Sequence, residues 1–230
     1  MALLTAAEAE ALAVSLRVAA ESVAFDLPIA IALSWLLVRA RFRGRSLLDA
    51  FVHLPLVLPP VVIGYLLLLL FGVHGPFGAV LKDAFGVRLA FTTEGAALAT
   101  AVMSLPLMVR AIRLSLEAIT PGLEDAARTL GAGPLDRFAS VTLPLMAPGI
   151  LAGAVTAFAA GLGEFGAVIT FAGNVPGATQ TLPLALYSVL QSPSGEWPAA
   201  RLATVSFVLG FGGLALAELL ARRLRRRLGQ

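Results

Sequence analysis

The chain has 230 residues, of which 58% are hydrophobic and 13% charged. This composition excludes a water-soluble domain, and we expect the chain to lie in a lipid bilayer. The net charge of +3 could suit a nucleic-acid partner, but the arginines cluster at the ends of apolar runs, where they set membrane orientation, so no nucleic acid is expected. Cysteine is absent, which excludes disulfides, thiolate metal sites and cysteine nucleophiles.

The hydrophobic runs predict membrane-spanning helices, each of which needs about 20 apolar residues. Five runs qualify, at residues 12–38, 52–71, 96–112, 141–163 and 202–220. The N-terminal sequence lacks the basic segment of a signal peptide, so we expect the first run to be retained. A sixth run at 181–190 is too short to span and predicts an interfacial or re-entrant helix. The expected fold is an all-α polytopic transmembrane bundle of five to six spans, with residues 1–230 in a single domain.

Basic residues are concentrated in one set of the predicted loops, and such an excess marks the cytoplasmic side. These loops contain Arg39, Arg41, Arg43, Arg45, Arg110, Arg113, Arg128, Arg137, Arg222, Arg223, Arg225, Arg226 and Arg227. The opposite loops contain Lys82 and Arg88. We therefore expect the N-terminus outside, and the C-terminus and residues 113–140 in the cytoplasm.

Three charged residues lie within the first predicted span. Arg17 and Glu21 are four residues apart, so they share a helix face and can form an ion pair. An alternative is that these charges serve an ion relay through the membrane, because intramembrane carboxylates can carry ions, and Asp26, near Pro28, would be part of it. We favour the ion pair, because one isolated aspartate is thin support for a relay.

A polar segment rich in glycine and proline, residues 120–140, separates two hydrophobic runs and is called the elbow below. Thr120 can act as an N-cap with Pro121 in the first helical position, a recognised helix start. Glu124 in the first turn suits the helix dipole, and Gly131 is expected to end the helix. After Gly133, Pro134 opens a second helix that continues into the membrane. The alternative is an ordinary loop with two surface helices.

The elbow sequence closely resembles the EAA motif of binding-protein-dependent ABC importer permeases. The resemblance lies in EDAA at 124–127, Gly131 four residues later, and Leu-Pro at 143–144. The family pattern is Glu-Ala-Ala, so Asp125 is an additional acidic residue, and we assign the family's acidic position to Glu124. The resemblance implies the MetI-like fold of type I importer permeases and a coupling helix that contacts the ATP-binding subunit. The expected contact residues are Glu124, Asp125, Ala126, Ala127, Arg128, Leu130 and Gly131.

Further segments are similar to the molybdate permease subgroup: LGEFG at 162–166, FAGNVPG at 171–177 and TQTLPL at 179–184. Sulfate, thiosulfate and tungstate remain alternative substrates. The resemblance implies a homodimer in the bacterial or archaeal inner membrane, two copies of the ATP-binding subunit and a periplasmic or extracellular molybdate-binding protein. Candidates for the outer gate or for contact with that protein are Gly173, Asn174, Thr179, Gln180 and Thr181, although a plain loop explains this segment equally well.

Glu164 is a candidate gate residue or a structural hydrogen-bond anchor. We favour the structural role, because a carboxylate that faced the pathway would repel an anionic substrate.

The chain lacks the sequence features of an enzyme. Its only lysine, Lys82, is not part of a Walker A phosphate loop, and neither a zinc-protease nor a serine-hydrolase motif is present. We therefore expect ATP hydrolysis on a separate subunit, and neither a cofactor nor a metal. A stand-alone secondary transporter or channel, or a scaffold, is a distant alternative that leaves the elbow without a purpose.

Overall fold

The chain begins with one long helix, α1 (Ala6–Arg39), which confirms the first predicted span. The computed structural model describes residues 4–193 and 195–227. A capping box starts α1: the Thr5 side chain accepts a hydrogen bond from Glu8 N, and the Glu8 carboxylate accepts one from Thr5 N at 2.7 Å. At about 1.5 Å per residue, the helix is longer than the roughly 30 Å hydrocarbon core of a bilayer.

The second predicted span, 52–71, is wrong as a single helix. The chain forms α2 (Arg45–His53), a 3₁₀ turn (Leu54–Leu56) and α3 (Pro60–Phe71), and the two parts are bent by 111°. Prolines at positions 55, 59 and 60 account for the break, because each lacks an N–H donor and restricts the residue before it.

Helix α5 (Thr93–Glu117) follows α4 (Pro76–Phe85) and is the centre of the bundle. It packs along both α1 and α8 (Leu143–Leu162), and both α5 and α8 confirm predicted spans. Many of the buried side chains of α5 are small: Ala96, Ala97, Ala99, Thr100, Ala101 and Ser104. Small side chains let helix backbones approach closely, which is how helices associate where lipid removes the hydrophobic driving force.

The elbow between α5 and α8 is helical. It comprises α6 (Pro121–Thr129) and α7 (Pro134–Arg137), and a π-helical turn (Phe138–Thr142) then leads directly into α8. Because Arg39 at the end of α1 contacts α6, the ends of α1 and α5 and the elbow lie together; we call this the elbow end of the bundle.

After α8 come α9 (Gly166–Phe171), α10 (Leu182–Leu190) and α11 (Glu196–Arg227). Helix α9 packs against α3, and α10 packs against α1 and α11. Helix α10 is the short helix predicted at 181–190, and α11 contains the predicted span at 202–220. By length and composition, four helices in the described part of the chain can cross a membrane, or five if the bent pair α2 and α3 forms one span.

Close packing of α8 against α5 depends on Gly149. A Cβ atom there would lie 2.3 Å from Ser115 Cβ and 2.8 Å from the Ala111 carbonyl oxygen. We predict that Gly149→Ala destabilises the detergent-solubilised protein by about 1–3 kcal/mol, because neither neighbour is the end of a flexible side chain. Gly212→Ala on α11 is the control, since nothing lies within 4 Å of the added atom. Thermal unfolding measures both, and equal melting temperatures would contradict the prediction.

Candidate functional site

The elbow begins as predicted, with Pro121 opening α6, but Thr120 does not cap it through its side chain. Thr120 has the extended conformation of an N-cap residue, and its carbonyl oxygen accepts from Leu123 N at 3.1 Å. The backbone therefore provides the bond that was expected from the hydroxyl. Gly131 follows α6 with a φ of +87°, a left-handed conformation that ends the helix, and α7 begins three residues later.

Glu124 points back into the protein from the first turn of α6. Its Oε1 atom accepts from Arg39 Nη2 at 3.0 Å and from Thr142 Oγ1 at 3.0 Å. The side chains of Arg39 and Glu124 are 21% and 26% exposed, and Thr142 is buried. One carboxylate oxygen thus joins the last residue of α1, helix α6 and the residue immediately before α8. We call these three residues the Glu124 cluster.

The elbow also carries exposed apolar side chains. Leu123 is 48% exposed, Leu130 is 89% exposed at the end of α6, and Leu135 is 84% exposed on α7. Arg128 and Asp125 form an ion pair at 3.0 Å on the same helix, with both side chains more than half exposed.

The structure thus divides the predicted contact residues into two groups. Asp125, Ala126, Arg128, Leu130 and Gly131 are exposed, whereas Ala127 and Glu124 are half-buried.

A cavity of about 680 Å³ separates the elbow from α1. Its apolar wall includes Ile31, Trp35 and Leu36 of α1 and Phe138 of the π-helical turn, and Glu124 lies at its polar side. The backbone of α6 lies against α7 and the π-helical turn rather than along α1. The connection between α6 and α1 therefore depends on long side chains.

A second ionic cluster fastens α2 to the same end of the bundle. Arg113 on α5 contacts Asp49 at 3.0 Å and Glu117 at 2.8 Å, and His53 Nδ1 lies 2.8 Å from the Asp49 carbonyl oxygen. This cluster holds the elbow end of α5 against α2, and within the described part of the chain it shares no hydrogen bond or ion pair with α6.

In the first span, Arg17 and Glu21 form the predicted ion pair, at 2.7 Å. Arg17 also reaches Glu94 on α5 at 3.1 Å. Asp26 is buried, and its Oδ2 accepts from Ser104 Oγ at 2.8 Å. Asp26 therefore joins α1 to α5. In the described contacts it bonds to a serine and to no other ionisable group, so these contacts do not indicate an ion relay.

Glu164 lies between α8 and α9. Its Oε1 atom accepts from Ala167 N at 2.9 Å, at the first turn of α9, where backbone donors lack helical partners. This bond is the one expected of a structural anchor.

The five candidate residues for the outer gate or for contact with the binding protein lie in one segment, residues 173–181. Polar groups within this segment bond to one another. Gln180 Nε2 donates to Asn174 Oδ1 at 2.9 Å, and Thr179 Oγ1 accepts from Val175 N at 3.0 Å. Asn174 also donates to Ser188 on α10 at 2.8 Å. Gly173 has a φ of +76°, and Thr181 is buried with no hydrogen bond to its hydroxyl in the described residues. The segment is therefore tightly folded.

Residues 26–226 match the protein family described as "Binding-protein-dependent transport system inner membrane component". The chain belongs to this family. It is a multi-pass inner-membrane permease, and its apolar helices agree with that location.

Two curated relatives and one solved structure are similar to most or nearly all of this permease. The molybdenum transport system permease protein ModB of Escherichia coli K12 is 54% identical over 228 residues, which cover 99% of this chain and all of that protein. The sulfate transport system permease protein CysT of Salmonella typhimurium is 41% identical over 80% of this chain and 65% of its own length. A bacterial alginate ABC transporter, solved in complex with an alginate pentasaccharide-bound periplasmic protein, has the same fold, with a TM-score of 0.68. The two chains are 18% identical, and the match covers 95% of this permease and 78% of that chain.

The sequence did not indicate that Arg39 and Thr142 meet Glu124 in the permease. Arg39 was assigned to membrane orientation, and Thr142 to a hydrophobic run. Their separations from Glu124, 85 and 18 residues, leave no periodic signal. The only hint was chemical: an arginine at a helix end and a carboxylate in a first turn each suit a helix dipole.

Proposed function

We propose that this permease is the membrane-spanning subunit of an ABC importer that carries molybdate across the cytoplasmic membrane. The observation that carries the proposal is the 54% identity to a molybdenum transport permease over 99% of this chain and all of that protein. The aligned region includes the segments that resembled the molybdate subgroup. ATP is hydrolysed on a separate subunit, because this sequence holds no phosphate-binding loop.

The elbow is the docking site for that ATP-binding subunit. Leu123, Leu130 and Leu135 offer apolar side chains to a groove on the partner, and the exposed Asp125 and Arg128 lie beside them. Ala126 and Ala127 let the partner approach the helix closely. Since α7 and the π-helical turn lead directly into α8, a displacement of the elbow reaches a membrane-spanning helix without an intervening loop.

The assembly is a homodimer with two ATP-binding subunits and one external binding protein, and its pathway lies on the two-fold axis. The elbow end faces the cytoplasm and the N-terminus lies outside, as the arginine distribution indicates. Closure of the two ATP-binding subunits would move both elbows together and switch the pathway between inward-facing and outward-facing states.

The segment at 173–181 contacts the molybdate-binding protein or forms the outer gate. Its internal hydrogen bonds support this role, because a contact surface that keeps its shape loses less conformational entropy on binding. Selectivity among oxyanions then resides mainly in the binding protein, because a pathway that held a dianion tightly would release it slowly.

Sulfate is the second candidate substrate, and the 41% identity to a sulfate permease favours it. The deciding experiment reconstitutes the permease with its cognate ATP-binding subunit and binding protein in proteoliposomes. We expect ATP-dependent uptake of labelled molybdate, and stimulation of ATP hydrolysis by molybdate-loaded binding protein. Stimulation by sulfate-loaded protein alone would overturn the molybdate assignment, and uptake by the permease without the ATP-binding subunit would overturn the class of transporter.

A further inference from the structure

The Glu124 cluster joins α6, the helix that carries most of the proposed docking residues, to α1 and to the π-helical turn before α8. We propose that Glu124 is a positioning residue that ties the coupling helix α6 to α1 and α8, so that movement of the elbow reaches both membrane helices together. Arg39 and Thr142 are its partners within the same chain. This inference rests on the proposed function, because it describes how a docked ATP-binding subunit moves the permease.

The charges of the cluster suit the helix ends on which they stand. Arg39 is the last residue of α1, where the helix dipole favours a cation, and Glu124 is in the first turn of α6, where it favours an anion. Both side chains are about three-quarters shielded from solvent, so salt screens their attraction less than that of a surface pair. Added salt should therefore weaken this contact less than it weakens the exposed pair between Asp125 and Arg128 on the same helix.

The link to α1 depends on this contact. The backbone of α6 does not lie along α1, and a cavity of about 680 Å³ lies between α1 and the elbow. Among the described hydrogen bonds and ion pairs, the pair of Arg39 and Glu124 is the one that joins α6 to α1, and its loss would leave α6 held mainly through the π-helical turn to α8. Helix α1 packs along α5 and α8 for much of its length, so a force delivered at Arg39 acts on the whole bundle.

Thr142 gives the second link. It is the last residue of the π-helical turn, is buried, and donates its hydroxyl to the same oxygen that Arg39 contacts. A π-helical turn is a wide, irregular turn that often marks a functional position in a helix. The bond from Thr142 fixes the end of this turn to α6, so that the turn transmits the motion of α6 rather than absorbing it.

A docking role for Glu124 predicts a different outcome from a positioning role. If Glu124 contacted the ATP-binding subunit, its loss would weaken association of the two subunits. If Glu124 positions α6 relative to α1 and α8, the subunits stay associated while ATP hydrolysis no longer drives transport. The inward orientation of the carboxylate favours the second outcome.

The experiment exchanges the two charges in the complete importer. Arg39→Glu places two carboxylates together and is expected to lower ATP-dependent molybdate uptake about tenfold, with the ATP-binding subunit retained on purification within about twofold. The double variant R39E/E124R restores an ion pair between α1 and α6 but removes the acceptor of Thr142, so it is expected to recover only part of the uptake that Arg39→Glu loses, about threefold. Arg41→Glu is the matched control: it makes the same charge change two residues away, on an exposed side chain, and should leave uptake unchanged.

Two milder variants keep the test valid if Arg39→Glu misfolds. Arg39→Lys retains the charge and should preserve coupling, because only the Nη2 atom of Arg39 contacts Glu124. Thr142→Val keeps the shape and removes the donor, so it should lower uptake per ATP hydrolysed. Three results would overturn the inference: uptake by Arg39→Glu equal to that of Arg41→Glu, loss of the ATP-binding subunit from Arg39→Glu, or uptake by the double variant no higher than that of Arg39→Glu. Failure of the unmodified assembly to couple ATP to molybdate uptake would instead overturn the proposed function.

Discussion

Leu130→Asp is expected to abolish co-purification of the ATP-binding subunit with the permease. Leu130 is 89% exposed at the end of α6, and the proposed docking buries it in the partner. Burial of a leucine contributes about 1.5–3 kcal/mol, so its loss alone weakens binding about 10- to 100-fold. A carboxylate at the same position adds the cost of burying an unpaired charge.

The measurement is retention of the ATP-binding subunit on the affinity-purified permease, together with ATP hydrolysis by the purified complex. Val87→Asp is the control, because Val87 is an exposed apolar residue in the connection between α4 and α5, away from the elbow. Leu130→Met, which keeps an apolar side chain of similar size, should retain binding. Full retention by Leu130→Asp would show that the docking surface lies elsewhere.

Gly131→Val is expected to uncouple the importer by changing the angle between α6 and α7. Gly131 has a φ of +87°, which costs a non-glycine residue about 1–2 kcal/mol and a β-branched one more. Nothing lies within 4 Å of a Cβ atom at this position, so the effect is conformational rather than a clash inside the chain. A reoriented α6 would present Leu130 and Glu124 in the wrong directions, and we expect transport to fall about tenfold or more.

Two variants separate this explanation from interference with the docked partner. Gly131→Asn should retain most transport, because asparagine adopts the left-handed conformation more readily than valine although it is also bulky. Gly133→Val should be tolerated, since Gly133 has an ordinary φ of −68° and open space around it. Equal transport by Gly131→Val and Gly133→Val would contradict the prediction, and equal losses for Gly131→Asn and Gly131→Val would indicate a steric effect on docking instead.

The bent pair α2 and α3 shows where hydropathy fails as a guide to structure. The run at 52–71 is apolar enough to span, but prolines 55, 59 and 60 prevent one continuous helix. The angle between the two resulting helices depends on how they pack. The prolines were visible in the sequence, whereas the 111° angle was not. The short helix α10 was correctly separated from the spans, because its length alone excludes a crossing.

The sequence by itself determined the properties that depend on composition and short-range pattern. It identified a membrane protein, the main helices, the start of α6 at Pro121, the break at Gly131 and the entry of the elbow into α8, because local backbone preference and apolar length fix these features. Only the tertiary structure decided how the elbow is held. Glu124 has sequence neighbours that suggest docking, yet its carboxylate points to Arg39 and Thr142, which come from α1 and from the turn before α8. Side-chain direction between distant elements depends on how the helices pack, and no spacing in the chain encodes it.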